Sequence, residues 1–272
     1  MRRLAVRPAG RAKGRVWLGI AAACAALVAA HLARADVGGE ATAGEPAVVT
    51  APRAASHTIV YAPRGEDGEA SSARPIAVML HGMCDTPENE CPYFAGAVNE
   101  KRWLLCPRAT VRCEGGGTMW DWKRKIDTIE ASIADVEAAY PGRLETAHGR
   151  TLIGFSLGAL AAVDVAHRGE GRWSGVVLIG AKVRPDARLL KRAGVKSVLF
   201  ASGERDMMRG HMMAEARRLD RHGIRATYRS LGKVGHWFAP DMQAFMNDAL
   251  AWIEAGDARD ADEAEAAPVA AR

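Results

Sequence analysis

Ser156 lies in Gly154-Phe155-Ser156-Leu157-Gly158, a serine with a glycine two residues before it and another two after. That spacing suits a nucleophile. The hydroxyl must stand clear at a sharp strand-to-helix turn, and small residues on both sides let the two elements nearly touch. A serine at its ordinary pKa is a weak nucleophile, so a base must take its proton and a third group must orient the base. His236, in Gly232-Lys233-Val234-Gly235-His236-Trp237, is the expected base. Asp206, in Ala201-Ser202-Gly203-Glu204-Arg205-Asp206, is the expected carboxylate, with Glu204 as its rival. His211 is the rival base because it is near Asp206. His57 precedes the relevant strands, and His148, His167 and His222 fall outside the loops that follow them. The chemistry is acyl transfer to water through a covalent intermediate, and its developing oxyanion needs N–H donors. The backbone N–H groups of Leu157 and Met83 are the candidates. Met83 follows His81-Gly82, where the glycine permits close approach and His81 is expected to serve as a structural hydrogen-bonding residue.

These residues need a frame that brings four separate loops together. Short apolar runs alternate with helical patterns along the chain: "HTIVYAP", "IAVML", "WLLC", "RTLIGF", "SGVVLIG", "VKSVLF" and "RATYRSL" read as strands. Between them, Ile126, Ile129, Ile133, Val136 and Ala139 share one helical stripe, and "LGALAAVDVAHR" is a helix of small residues able to pack closely. A last helix is expected from about Pro240 to Ala255. Such alternation predicts an α/β fold, with a mainly parallel sheet covered by helices on both faces. Functional loops in such sheets lie at the carboxyl ends of the strands, where all the candidates fall. The order Ser156, Asp206, His236 is the order that the α/β-hydrolase sheet requires. Only about 15 residues around "KVRPDARLLKRAG" separate the strand ending at Gly180 from the next, too few for a cap domain. An open site and small or accessible acyl groups are therefore expected.

At this point the chain resembles the α/β-hydrolase superfamily. Within it, the chain is most similar to the phospholipase/carboxylesterase group, which includes the acyl-protein thioesterases, and more loosely to the dienelactone hydrolases. The similarity spans roughly residues 56–255 and rests on "LHGMCDTPEN", "CPRATVRCEGGGTMWDW", "GFSLGAL", "GERD" and "GHWF". It implies a serine esterase with Ser156, Asp206 and His236 as the triad and Met83 in the oxyanion hole. Two departures stand out. Cys84 replaces the glycine of the group's HG-x-G-D loop, and "MWDW" replaces Trp-Phe-Asp. Both change the surroundings of the acyl and leaving groups. Trp120, Trp122 and Trp237 are candidates for those surroundings, with ordinary packing as the alternative.

The chain has 272 residues, 49% of them hydrophobic, the profile of a globular protein. Its net charge of +5 is concentrated at one end. Residues 1–35 hold seven Lys and Arg and no acid; without them 30 basic residues face 32 acidic ones. That balance gives no electrostatic basis for nucleic-acid binding. Residues 1–35 have the parts of a signal peptide: a basic start, the apolar stretch Val16 to Leu32, and Ala33-Arg34-Ala35 as a cleavage site. Retention as a membrane anchor is the alternative, and lipid attachment at Cys24 a weaker one. A periplasmic or secreted protein with no membrane span after cleavage is expected. Residues 36–55 read as a linker and 256–272 as an acidic, alanine-rich tail, disordered or the frayed end of the last helix. No sequence feature indicates an oligomeric state.

Beyond the leader remain Cys84, Cys91, Cys106 and Cys113, an even number behind an export signal, which suggests two disulfides. Four cysteines allow three pairings. The local one, Cys84–Cys91 with Cys106–Cys113, is expected, and cross-linking of loops after adjacent strands is the alternative. The cysteine separations contain no C-x-x-C pair, against a zinc site. No cofactor or metal is called for, and the partner is a small-molecule ester. Gly115-Gly116-Gly117 reads as a turn, since it lacks the Lys-Ser/Thr of a phosphate cradle. Two other function classes share this frame. A serine peptidase would need recognition of a substrate amine, for which no carboxylate pair is found. A binding protein on a hydrolase scaffold would be expected to have lost a triad residue, and all three are present.

Overall fold

Every one of the apolar runs becomes a strand of one sheet. The computed structural model describes residues 45–64, 73–147, 149–169 and 172–266. The leader 1–35 and Cys24 lie outside the described residues. The strands are β1 (Pro46–Ala51), β2 (Ser56–Tyr61), β3 (Arg74–Leu80), β4 (Trp103–Pro107), β5 (Val111–Arg112), β6 (Thr118–Met119), β7 (Leu144–Glu145), β8 (Arg150–Phe155), β9 (Trp173–Ile179), β10 (Ser197–Ser202) and β11 (Arg225–Ser230). The main sheet runs β1-β2-β4-β3-β8-β9-β10-β11, with short β7 beside β3. From β4 to β11 every pairing is parallel, and only β1 with β2 and β2 with β4 are antiparallel. Strands β5 and β6 form a separate hairpin.

The inner strands are buried on both faces, because strict alternation sends their side chains to two cores. Ile76, Val78, Leu80, Leu152, Val176, Leu178, Val198 and Phe200 point to one. Ala77, Met79, Leu104, Ile153, Phe155, Val177, Ile179 and Leu199 point to the other. The first core is covered by α3 (Lys125–Ala139), α4 (Leu157–His167), α5 (Ala187–Arg192) and α6 (Arg209–Arg221). The second is covered by α2 (Pro92–Val98), which follows the single turn α1 (Pro87–Glu90), and by α7 (Met242–Ala266). The expected stripe on α3 is buried at Ile129, Ile133 and Val136, with Ile126 and Ala139 partly covered. Between Gly180 and Ser197 the chain forms only α5, which packs Ala187 and Leu190 into the first core.

Two expected boundaries are corrected. The predicted linker 36–55 contains β1, paired along its full length with β2. Its residues alternate outward and inward, with Ala47, Val49 and Ala51 buried. Small side chains and Pro46 hid that alternation in the sequence, and proline at the first residue of an edge strand costs no ladder bond. The last helix passes the predicted end at Ala255 and runs to Ala266, because alanine and glutamate favour helix even where no apolar stripe demands it.

Candidate active site

The site forms where β3, β8, β9 and β10 end. Ser156 has φ 53° and ψ −117°, a backbone conformation that a side chain rarely adopts. Its N–H donates to Ile179 O at 2.9 Å, so the end of β9 holds the turn in place. Both glycines of the pentapeptide have steric reasons. A methyl at Gly154 would lie 2.5 Å from Gly158 O and 2.6 Å from Ala159 Cα. One at Gly158 would lie 2.0 Å from Leu80 O and 2.6 Å from His81 O. The start of α4 is therefore pressed against the end of β3.

The structure brings Ser156, His236 and Asp206 together. His236 Nε2 is 3.0 Å from Ser156 Oγ, and His236 Nδ1 is 2.9 Å from Asp206 Oδ2. With Asp206 accepting from Nδ1–H, Nε2 is left to accept the serine proton. Asp206 is buried, and its Oδ1 also accepts from Met208 N–H at 2.9 Å. The loops carrying the two residues are laced together: Glu204 N–H donates to Gly232 O and Arg205 N–H to Val234 O. A methyl at Gly203 would lie 2.2 Å from Val234 O. Gly180, at φ +60°, leaves room for both partners, because a methyl there would lie 3.2 Å from Asp206 Oδ2 and 3.2 Å from His236 Cε1. The rivals are placed elsewhere. Glu204 is exposed and faces Ser230 Oγ at 3.5 Å, and His211 Nε2 is 2.6 Å from Val183 O.

Leu80 pairs with Gly154, so Met83 and Leu157 each lie three residues beyond one paired level. Among the described residues, no hydrogen bond engages the N–H of either. The Leu157 N–H belongs to the first turn of α4, where backbone donors point out of the helix. His81 is fully buried and its pKa is pushed down to about 4 by burial. Ala109 N–H donates to its Nε2 at 3.1 Å, which leaves Nδ1–H to donate to Gly82 O at 2.8 Å.

The three tryptophans are separated. Trp120 is buried, and its indole N–H donates to His81 O at 2.9 Å, so it supports the loop after β3 and is not an open pocket wall. Trp122 is 50% exposed, with Lys125 Nζ 4.4 Å from its ring centre. Trp237 is exposed and meets Phe155 and Tyr93 edge to face, each at 5.8 Å. The site is open to solvent: Met83 is 63% exposed and the His236 side chain 47%. Met207, beside Asp206, adds an exposed apolar side chain that the sequence did not mark.

The disulfide pairing is corrected. Cys84 joins Cys113 and Cys91 joins Cys106, with Cα–Cα distances of 5.6 and 6.2 Å. The local pairs Cys84–Cys91 and Cys106–Cys113 do not form. The reason is spatial: β3 and β4 are parallel neighbours, so the segments beyond them meet. The β5–β6 hairpin folds back on the loop after β3, where Thr118 N–H donates to Asp85 O. Gly117, at φ +66°, packs there so closely that a methyl would lie 2.2 Å from Cys84 O. With all four cysteines oxidised, none is a thiolate ligand, and no cluster of three or more His, Cys, Asp or Glu fit for a metal occurs among the described residues.

No family model matches the chain. No curated protein matches it either. Solved structures do. An esterase of Pyrobaculum calidifontis superposes with a TM-score of 0.60 at 15% identity, over 85% of this chain and 90% of that one. Fluorophosphonate-binding serine hydrolase F of Staphylococcus aureus gives 0.55 at 14%, over 73% and 92%. The Bacillus cereus carboxylesterase gives 0.53 at 16%, over 73% and 93%. The chain has the α/β-hydrolase fold.

Proposed function

We propose that the protein is an exported serine hydrolase that cleaves carboxylic esters or thioesters through an acyl-enzyme. The observation that carries this reading is the His236 imidazole, bonded on one side to Ser156 Oγ at 3.0 Å and on the other to Asp206 at 2.9 Å. The names of the structural neighbours, esterases and serine hydrolases, support it. Ser156 Oγ attacks the ester carbonyl as His236 Nε2 takes its proton. The Met83 and Leu157 N–H groups receive the oxyanion, and losing one such donor costs about 3 kcal/mol of barrier. The intermediate collapses as the imidazolium gives its proton to the leaving alcohol or thiol. Water, deprotonated in turn by His236, attacks the acyl-serine and the acid departs. No metal or cofactor enters any step.

The two disulfides support an oxidising compartment, which agrees with the proposed cleavage of residues 1–35 after Ala35. No helix among the described residues is long and apolar enough to cross a membrane. The open site supports short or accessible acyl groups over long chains in emulsion.

Treatment with a fluorophosphonate followed by mass spectrometry tests the reading. A single adduct on Ser156 is expected, lost in Ser156→Ala together with hydrolysis of p-nitrophenyl acetate. A folded, oxidised protein that takes no adduct would point to a binding scaffold. A labelled protein that turns over peptides but not esters would point to a peptidase.

A further inference from the structure

Glu90 closes α1 with its side chain fully buried. Its two carboxyl oxygens lie 3.0 and 3.2 Å from the Gly82 nitrogen. Among the described residues no ion pair reaches it. A buried carboxyl without a cation is costly, and an apolar side chain of similar volume would fill the space more cheaply. Its retention needs a reason, and the peptides beside it supply one.

Gly82 lies between two peptide planes, and each is pinned. The plane joining His81 to Gly82 is held at its carbonyl by the Trp120 indole N–H and at its N–H by Glu90. The plane joining Gly82 to Met83 is held at its carbonyl by His81 Nδ1–H. A peptide is flat, with its N–H directed opposite to its carbonyl. Once the Gly82 carbonyl is fixed, the Met83 N–H has one direction left. Gly82 itself is gripped: a methyl there would lie 3.1 Å from Glu90 Oε1 and 3.3 Å from the ring of Phe155, the residue before Ser156.

We propose that Glu90 is a positioning residue for the oxyanion hole, holding the Gly82 N–H so that the Met83 N–H meets the developing oxyanion. The proposal rests on the esterase reading above. Burial pushes the Glu90 pKa up to about 9 against the opposing pull of the Gly82 N–H, helped by the negative charge of Asp85 and a side-chain hydrogen bond shared with it, so the carboxyl is neutral at ordinary pH. Of the other titratable groups nearby, Glu88 on the same turn faces outward to His57 and Arg108, and His81 is held neutral by burial. Neutrality is part of the function. A charge on Glu90 would sit beside the place where the substrate oxygen becomes negative and would oppose it.

The test is turnover of p-nitrophenyl acetate by wild type, E90Q, E90L and S156A from pH 6 to 10, corrected for spontaneous hydrolysis, with melting temperatures alongside. A glutamine keeps the acceptor and never ionises; a leucine removes the acceptor. E90L is expected to lose about 100-fold in kcat, the order expected for one misdirected donor, with KM within about threefold. E90Q is expected to recover most of that loss. Wild-type kcat is expected to fall above about pH 9, and that of E90Q to stay level. Unchanged turnover in E90L would overturn the proposal, as would an alkaline fall that E90Q shares. If E90L does not fold, the wild-type and E90Q pH profiles decide. An inactive S156A with an unaffected E90L overturns only the role of Glu90; an active S156A overturns the esterase reading itself.

Discussion

Asp206 and Glu204 are two residues apart on one loop, and only Asp206 touches the imidazole. Asp206→Asn leaves the shape intact but presents an amide that favours the wrong imidazole tautomer. It is expected to lower kcat by about 10⁴-fold, while Glu204→Gln stays near wild type; steady-state kinetics on one short ester separates them. The contrast shows what residue types reveal. The meeting of Ser156, His236 and Asp206 was legible because the proposed nucleophile, base and orienting acid must be particular residues, after particular strands, in one chain order. Glu90 was not legible. It acts on a backbone N–H, and a glutamate in "PENEC" looks like any solvated acid until Gly82 is seen above it. Trp120 was legible as an aromatic near the site but not as a donor to His81 O, because whether an indole lines a pocket or braces a loop depends on its burial.

The strands were legible as elements because a parallel sheet buried on both faces needs unbroken apolar runs, which few other structures need. Their neighbours were not. The order β4-β3-β8 is a matter of crossovers, and it decides which cysteines meet. Local pairing counts residues along the chain; the observed pairing follows strands that are adjacent in space. The two bridges also differ in access. Cys91 and Cys106 are fully buried, whereas Cys84 is exposed and Cys113 half-buried. Thiolate exchange depends on access. Mild reductant is therefore expected to open Cys84–Cys113 first, lowering kcat as the loop bearing Met83 loosens, while the fold persists on the intact inner bridge. Timed alkylation with mass spectrometry, read beside activity and circular dichroism, checks the order. Replacing both Cys84 and Cys113 by serine should cost about 3 to 4 kcal/mol of stability on the loop-entropy estimate.

Across the whole molecule, two buried titratable groups give stability a pH dependence. His81 ordinarily titrates at 6.5 and is held at about 4, so between those values the unfolded chain binds a proton that the fold refuses. Stability from this group falls as pH drops from 6.5 to 4. Glu90 ordinarily titrates at 4.5 and is held at about 9, so between those values the fold keeps a proton that the unfolded chain gives up. Stability from this group falls as pH rises from 4.5 to 9. The two slopes oppose each other up to pH 6.5, and beyond it Glu90 acts alone of the pair. Unfolding free energies from denaturant titrations are expected to fall from pH 6.5 to 9, by at most about 1.4 kcal/mol per pH unit, and the slope should vanish in E90Q. The bridges carry a different consequence for the chain as a whole. They are nested, Cys91–Cys106 inside Cys84–Cys113. Short loops close more readily than long ones, so an oxidising unfolded chain is drawn first to Cys84–Cys91 and Cys106–Cys113. Both of those bonds must be undone before the sheet can bring the true partners together. Refolding of the reduced chain with an oxidant alone is therefore expected to give scrambled, inactive forms, and addition of a glutathione couple to restore activity.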